Sequence, residues 1–297
     1  MTKKTITSAL ALAGATALVL TGCSAAGDTA AGEAIGDRPI TIAVFNGWDE
    51  GIAASELWKS VLEEQGYEVE LEYDAPAAVY TGLASGDDDL TLDTWLPLTH
   101  KEYVERFDGD IVDLGAWNDE AKLTIAVNED APIDSLTELA ENADMFDNTL
   151  VGIDAGSGLV TVTQDAVIPG YGLEDMDFVV SSTPAMLTEL KAATDAGENV
   201  AVTLWRPHWA YNAFPIKDLE DPDGLLGDAE SIHTTASTAF ESDFPEVAGW
   251  LSAFEMNNET LYSLEDAMFG EYEGDDYAPV VGDWIADNQE WVDSLTS

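Results

Sequence analysis

The strongest constraint on the fold is a regular alternation of β-branched runs with amphipathic stretches along the body of the chain. PITIAVFNGW (39–48) is typical of a strand that ends in an Asn-Gly turn. AASELWKSVLEEQGY (53–67) has apolar residues at helical spacing and is stopped by Gly66. YEVELEY (67–73) alternates apolar and polar residues, as a half-buried strand does. The body therefore begins as a β-α-β unit.

The same alternation continues along the chain. Ser135 and Glu138 have the spacing of a capping box, which opens a helix. Strands that alternate with helices predict a mostly parallel sheet covered on both faces. About 260 residues of this pattern exceed what one core usually holds, so two lobes are expected. The further predicted elements are helices over 77–85, 101–107, 134–146 and 184–197, strands over 90–94, 122–128, 149–154 and 199–205, and a mostly helical tail from residue 245.

The formal net charge is −49, from 59 acidic and 10 basic residues. Binding to DNA or RNA depends on Lys and Arg that displace counterions, so nucleic acid is excluded as a partner. The shortage of Lys and Arg also argues against docking on an anionic membrane through a basic patch. Hydrophobic residues make up 46% of the chain, enough for folded cores. The acids are therefore expected to form a solvated surface suited to salty surroundings, the alternative being an acidic bias with no meaning for habitat.

The N-terminus predicts export. A pair of lysines precedes an apolar, alanine-rich run (6–20) that is short for a membrane span and typical of a secretory signal. The following Leu-Thr-Gly-Cys resembles the bacterial lipobox, and Cys23 is the single cysteine. We expect a signal peptide over 1–22 and a flexible linker over 23–37 after lipidated Cys23. The protein would then sit, lipid-anchored, on the extracytoplasmic face of the cell membrane; a chance match of small residues is the alternative.

Tryptophans stand at the ends of three predicted strands. In open α/β sheets ligands bind at the carboxyl ends of strands, and Trp48, Trp95 and Trp205 occupy such positions. One tryptophan there is usually packing, but three at equivalent positions indicate a common site. Indole faces attract a cation that has no N–H to donate, such as a quaternary ammonium group.

GIDAGSGLVT (152–161), at a fourth strand end, predicts the opposite pole. Its glycines let the backbone approach a ligand, and the N–H groups of Gly158 and Leu159 would open a helix whose N-terminus favours an anion. The segment is neither a dinucleotide loop nor a Walker loop, because the third glycine and Gly-Lys-Ser/Thr are missing. His100, five residues after Trp95, is either a structural residue or a donor to a carboxylate.

Two other classes of function compete with a binding protein. A serine hydrolase would need G-x-S-x-G, but Ser157 has Ala155 and Leu159 at the flanking glycine positions. A metal-binding lipoprotein would need histidines clustered with acids, whereas the three histidines share no ligand spacing. No catalytic residue, metal ligand or cofactor is therefore predicted, and a secreted enzyme and a metal-binding lipoprotein stay as remote alternatives.

Four motifs together resemble the substrate-binding proteins of ABC transporters that import glycine betaine and related osmolytes. They occur in family order as NGWDE (46–50), TWLPLTH (94–100), GIDAGSGL (152–159) and LWRPHWAYNAF (204–214). The resemblance implies a two-lobed α/β fold of the periplasmic-binding-protein type II, which closes like a clamshell on a ligand in the cleft between the lobes. It implies a binding protein and not an enzyme.

The resemblance also implies a site with two poles. A box of tryptophans would surround a trimethylammonium group, while a histidine and two backbone N–H groups would hold a carboxylate. The residues are Trp48, Trp95 and Trp205 for the cation, and His100, Gly158 and Leu159 for the anion. One lobe would comprise 38–121 and 217–297, and the other 122–216.

The implied partners are the permease and ATPase subunits of an ABC importer, and the binding protein itself is expected to be a monomer. Glycine betaine is the ligand that fits best. Choline, carnitine, proline betaine and sulfonium analogues remain open, since each could use the same box.

The acidic composition predicts that salt stabilises the fold. Repulsion among 59 acidic residues weakens as the Debye length shrinks to about 10 Å near 0.1 M salt. The thermal unfolding midpoint should therefore climb as sodium chloride is added. A flat or falling midpoint would contradict a salt-adapted surface.

The lipobox predicts that Cys23→Ser releases the protein from the membrane or leaves it unprocessed, because serine has no thiol for acylation. Membrane fractionation and metabolic labelling with a fatty acid measure the two effects. Retention of both membrane association and lipid label in the variant would rule out Cys23 as the anchor.

Overall fold

The computed structural model describes residues 38–272, 274 and 276–297. The signal peptide, Cys23 and the linker lie outside the described residues and stay predictions. Within the part of the chain that is described, no helix combines the length and the apolar character needed to cross a membrane.

Strands and helices alternate through most of the body and give way to helices near the C-terminus. The strands are β1 (Ile40–Phe45), β2 (Val69–Asp74), β3 (Leu90–Leu96), β4 (Ile111–Asn128), β5 (Thr149–Val151), β6 (Asp177–Val179), β7 (Ala201–Arg206), β8 (Ile216–Asp218) and β9 (Glu230–Ser237). The α-helices are α1 (Asp49–Glu64), α2 (Pro76–Ser85), α3 (Lys101–Arg106), α4 (Leu136–Leu139), α5 (Gly158–Val162), α6 (Ile168–Tyr171), α7 (Thr183–Ala196), α8 (Ala210–Ala213), α9 (Phe240–Asp243), α10 (Pro245–Ser252), α11 (Asn258–Glu265), α12 (Ala278–Asp287) and α13 (Gln289–Ser294). A 3-10 segment covers Ala140–Phe146, and π-helical segments cover Thr163–Val167 and Asp266–Glu271.

One long strand, β4, belongs to both halves of the molecule. The strands lie in the order β2-β1-β3-β9-β4-β7-β5-β6, with β8 also on β4. The first part of β4 pairs with β9, up to Ala121 opposite Glu230. The second part pairs with β7, starting with Lys122 opposite Arg206. Each half carries its own part of the sheet, so the two-lobe α/β fold follows from a single strand that changes partners along its length.

The expected mostly parallel sheet is only partly correct. Strands β1, β2 and β3 are parallel to one another, as are β5, β6 and β7. Strand β9 runs antiparallel between β3 and β4, and β4 is antiparallel to β7 and β8. The sequence ESIHTTAS of β9 (230–237) has little apolar alternation, so its pairing with two neighbours, rather than local propensity, makes it a strand.

The boundaries of two predicted helices are informative. The capping box of Ser135 and Glu138 is present, with both reciprocal hydrogen bonds, so the predicted helix start is confirmed. Helix α1 ends just before Gly66, whose φ of +94° suits glycine. It begins at Asp49, however, and not near residue 53. The earlier start places two carboxylates in the first turn of α1, directly after Trp48.

The strand pairing of β4 indicates where one lobe ends and the other begins. The change of partners on β4 falls between Ala121 and Lys122, at the first expected boundary. Strand β8 lies across the second expected boundary, after residue 216, and pairs with the second part of β4. By hydrogen bonding, the second lobe therefore continues at least to Asp218.

Candidate functional site

Three tryptophans from separate elements line one cavity. Trp48 lies in the turn between β1 and α1, Trp95 near the end of β3 and Trp205 near the end of β7. All three are almost fully buried. With Glu50, Thr99, Leu123, Ile153, Ser157 and Leu159 they surround about 270 Å³ of space not filled by protein atoms. The walls are mostly aromatic and aliphatic, so the cavity suits a solute with an apolar surface.

The indole N–H groups of this region point at buried carboxylates. Trp95 Nε1 donates to Asp93 Oδ1 at 2.8 Å, within β3. Trp205 Nε1 donates to Glu50 Oε2 at 2.8 Å, from β7 to α1. These bonds fix the orientation of both rings and occupy their only polar hydrogens. The walls that Trp95 and Trp205 offer to the cavity are consequently aromatic and not hydrogen-bonding.

A further indole–carboxylate bond joins the two lobes. Trp209 Nε1 donates to Asp49 Oδ2 at 2.5 Å. His208 is buried beside it, with Nε2 at 3.7 Å from the same Asp49 oxygen. Trp209 and His208 of the second lobe therefore both lie against the carboxyl group of Asp49, the residue that follows Trp48.

Burial changes the ionisation of the carboxyls behind the cavity. Desolvation raises the pKa of Asp49 to about 7 and that of Glu50 to about 8. Burial also raises the pKa of Asp93 and of Glu265 well above the ordinary range, and the charge of Glu50 acts in the same direction on both. A cation held in the cavity would favour the ionised form of these groups, because opposite charges attract strongly where water is excluded.

His100 is fully buried and neutral. Its Nδ1 accepts the backbone N–H of Trp95 at 2.8 Å, so the ring hydrogen resides on Nε2. Burial lowers the pKa of His100 to about 3. The ring stacks on Trp48 with centroids 5.4 Å apart and planes 15° apart. Nε2 has no hydrogen-bond partner among the described residues, which leaves it as a donor.

The predicted anion pole contacts the opposite lobe. Ser157 caps α5, with its Oγ accepting the N–H of Val160 at 3.2 Å. A Cβ added at Gly158 would lie 2.5 Å from the carbonyl oxygen of Thr99, so only glycine fits this approach. The two lobes touch here.

The structure thus brings four of the six predicted ligand residues to one cavity: Trp48, Trp95, Trp205 and Leu159. His100 lies behind Trp48 and Gly158 beside Thr99, and neither lines the cavity wall. Glu50 lines the cavity but is not among the residues predicted from the sequence. The sequence predicts that the helix begins near residue 53, whereas α1 begins at Asp49 and includes Glu50 in its first turn. Arg206 forms a salt bridge with Asp218, with Nε and Oδ2 2.9 Å apart.

The arrangement matches a known family. Residues 38–287 match the family described as the substrate binding domain of the ABC-type glycine betaine transport system. The chain belongs to this family.

Individual relatives are consistent with this assignment. The glycine betaine/carnitine transport binding protein GbuC of Listeria monocytogenes is 33% identical over 174 residues, which cover 56% of this chain and 55% of GbuC, so the chain matches about half of that relative's length. Lactococcal OpuAC, solved in its closed-liganded conformation with glycine betaine, is 25% identical with a TM-score of 0.80, covering 88% of this chain and 100% of OpuAC. ProX from Borrelia burgdorferi is 32% identical with a TM-score of 0.80, covering 88% of this chain and 97% of ProX. The likeness to both structures extends over the two-lobe fold.

The buried carboxyls predict that the free energy of unfolding falls as pH rises from about 4 to about 8. Asp49 and Glu50 ionise near pH ~4 when unfolded, but their folded pKa values are about 7 and about 8. The folded state therefore binds more protons between these limits, and its stabilisation is lost progressively as pH rises through them. At constant salt, the unfolding midpoint of the ligand-free protein should be lower at pH 9 than at pH 6.

The double variant Asp49→Asn, Glu50→Gln keeps an amide oxygen for each indole N–H and should flatten this pH dependence. Glu64→Gln, at an exposed position at the end of α1, is the matched control and should leave the slope unchanged. An equal slope in the parent and the double variant would show that these carboxyls do not control the pH dependence.

Proposed function

We propose that this protein is the extracytoplasmic substrate-binding protein of an ABC importer and captures glycine betaine or a related quaternary ammonium or sulfonium solute for osmoprotection. The carrying observation is the set of tryptophans around one small cavity, two of which have their N–H groups bound to buried carboxylates. Membership of the glycine betaine family and the likeness to OpuAC with glycine betaine support the same ligand class.

The cavity chemistry supports a cation without hydrogen-bond donors. A quaternary ammonium group is attracted to indole faces through the ring quadrupole, at ~0.5–2 kcal/mol per face depending on desolvation. Glu50 adds a carboxyl group to the same wall, and a bound cation would favour its ionised form. A solute without a cationic group would gain nothing from that carboxylate, so the site would select for a cation as well as for shape.

A carboxylate on the ligand would be held by groups from both lobes. His100 offers an unpartnered Nε2–H, and the backbone N–H groups of Gly158 and Leu159 open α5. His100 belongs to the first lobe and Gly158 to the second, so a zwitterion that contacts both would stabilise the closed state. We assign the first lobe to 38–121 and 219–297, and the second lobe to 122–218, because β8 pairs with the second part of β4.

Other quaternary ammonium solutes and other classes of function are alternatives to glycine betaine binding. Choline, carnitine and proline betaine carry the cation but differ at the other end, where His100 and Gly158 would discriminate. A transport role without enzymatic activity accords with the transport binding proteins in the family. Among residues 38–272, 274 and 276–297, no group of three His, Cys, Asp or Glu could hold a metal ion.

The proposed function places the protein at the cell membrane with the other subunits of an importer. Cys23 would carry the lipid anchor, and the folded body would diffuse on the outer face of the membrane at the end of the linker. A monomer in the closed, liganded state would dock on the permease, whose transport is driven by the ATPase subunits.

The aromatic cage formed by the three tryptophans predicts graded losses of affinity for glycine betaine. Replacing Trp48, Trp95 or Trp205 by Ala removes one aromatic face worth ~0.5–2 kcal/mol together with its packing, which corresponds to severalfold or more in Kd. Phe at the same position keeps a weaker face and should bind better than Ala. Calorimetry with glycine betaine measures both. Three Ala variants that bind as tightly as the parent would exclude the aromatic cage.

The proposed role of His100 in binding a carboxylate predicts a change in ligand preference when the residue is replaced. His100→Ala should weaken glycine betaine and carnitine while it leaves choline, which lacks a carboxylate, comparatively unaffected. Trp58→Ala is the control, because Trp58 is fully buried in α1 against Phe254 and outside the cavity wall. That variant should lower the unfolding midpoint without changing ligand preference. Equal weakening of all ligands by His100→Ala would contradict the assigned role.

A further inference from the structure

Glu230 is a buried carboxylate outside the cavity wall. It is the first residue of β9 and only 2% exposed. It pairs in register with Ala121 of β4, immediately before β4 changes partners to β7. Glu230 therefore lies where the chain crosses between the lobes.

Both oxygens of Glu230 bind one short loop. Oε2 accepts the backbone N–H groups of Leu98 and Thr99, each at 2.9 Å. Oε1 accepts the hydroxyl of Thr99 at 2.6 Å. A buried carboxylate is stable only when its lone pairs are occupied, and charge-assisted bonds of this kind are short and strong. The three bonds fix the loop after β3 to the start of β9.

The same loop joins the two poles of the cleft. It connects Trp95 to His100, whose backbone N–H returns to the Trp95 carbonyl at 3.0 Å. Thr99 lines the cavity, and its carbonyl oxygen faces Gly158 of the other lobe. Any shift of Thr99 would therefore displace both His100 and the surface on which the Gly158 turn rests.

We propose that Glu230 is a positioning residue for the anion-binding side of the cleft, which it ties to the lobe crossing through its three hydrogen bonds to the loop at residues 98–99. The inference rests on the proposed function, because it assigns the carboxylate of a zwitterionic ligand to His100 and Gly158. Glu230 then determines how strongly the site prefers zwitterions to simple quaternary cations.

The test compares Glu230→Ala and Glu230→Gln in the purified full-length chain, by calorimetry with glycine betaine and with tetramethylammonium. Loss of the three bonds in Glu230→Ala should weaken glycine betaine about tenfold or more and tetramethylammonium much less, since the cage is untouched. Glutamine can accept the two backbone N–H groups through its amide oxygen and donate to Thr99 Oγ. Glu230→Gln should therefore restore most of the affinity for glycine betaine.

Val247→Ala is the control for general destabilisation, because Val247 is fully buried in α10 and does not line the cavity. It should lower the unfolding midpoint and leave both affinities unchanged. If tetramethylammonium binds the parent too weakly to measure, competition against glycine betaine reports the ratio. If Glu230→Ala does not fold, Glu230→Met, which keeps the length of the side chain, takes its place.

Unchanged affinity in a folded Glu230→Ala or Glu230→Met protein would overturn the proposal, and so would equal losses for both ligands. Failure of Glu230→Gln to bind better than the alanine or methionine variant would also overturn it. These outcomes are distinct from failure of the proposed function, in which the parent itself would not bind glycine betaine.

Discussion

The hydrogen bonds between indole N–H groups and buried carboxylates are the interaction on which the cleft depends. Each carboxylate would be costly to bury without a donor, and each indole has one polar hydrogen to satisfy. Trp95 and Asp93 make this pair within β3, whereas Trp205 and Glu50 make it across the lobes. The bonds hold the rings in one orientation, hold the lobes together, and leave aromatic faces toward the cavity.

Acidic residues on the surface and acidic residues in the interior respond to different conditions. Those on the surface repel one another and are screened by salt, so they respond to the surroundings. Asp49 and Glu50 are hidden from salt, and their raised pKa values make them respond to protons and to a cation in the cavity. A quaternary ammonium ligand would favour the ionised form of these buried carboxyls, because opposite charges attract strongly where water is excluded. The proposed ligand would therefore stabilise the closed state by electrostatics as well as by contact.

The shared strand β4 and its neighbour β9 explain why the ends of β3 and β7 lie close together. Because β4 passes from one lobe into the other, the ends of β3 and β7 face each other across the crossing. Glu230 fixes the loop of Thr99 at this crossing, and Gly158 approaches that loop from the other side. The proposed anion pole would thus lie at a lobe contact, where a ligand could act on the closed state.

The sequence by itself determined the α/β class, most helix and strand positions, and the tryptophans that line the cavity, because hydrophobic periodicity and strand-end position are local patterns. Tertiary structure alone decided that ESIHTTAS forms an inserted antiparallel strand, since its pairing partners lie far away in the chain. It also decided that Glu50 bonds Trp205, 155 residues away, and that Glu230 bonds Thr99, 131 residues away. A hydrogen bond over such separations leaves no periodic signal, because its two groups become neighbours only in the folded structure.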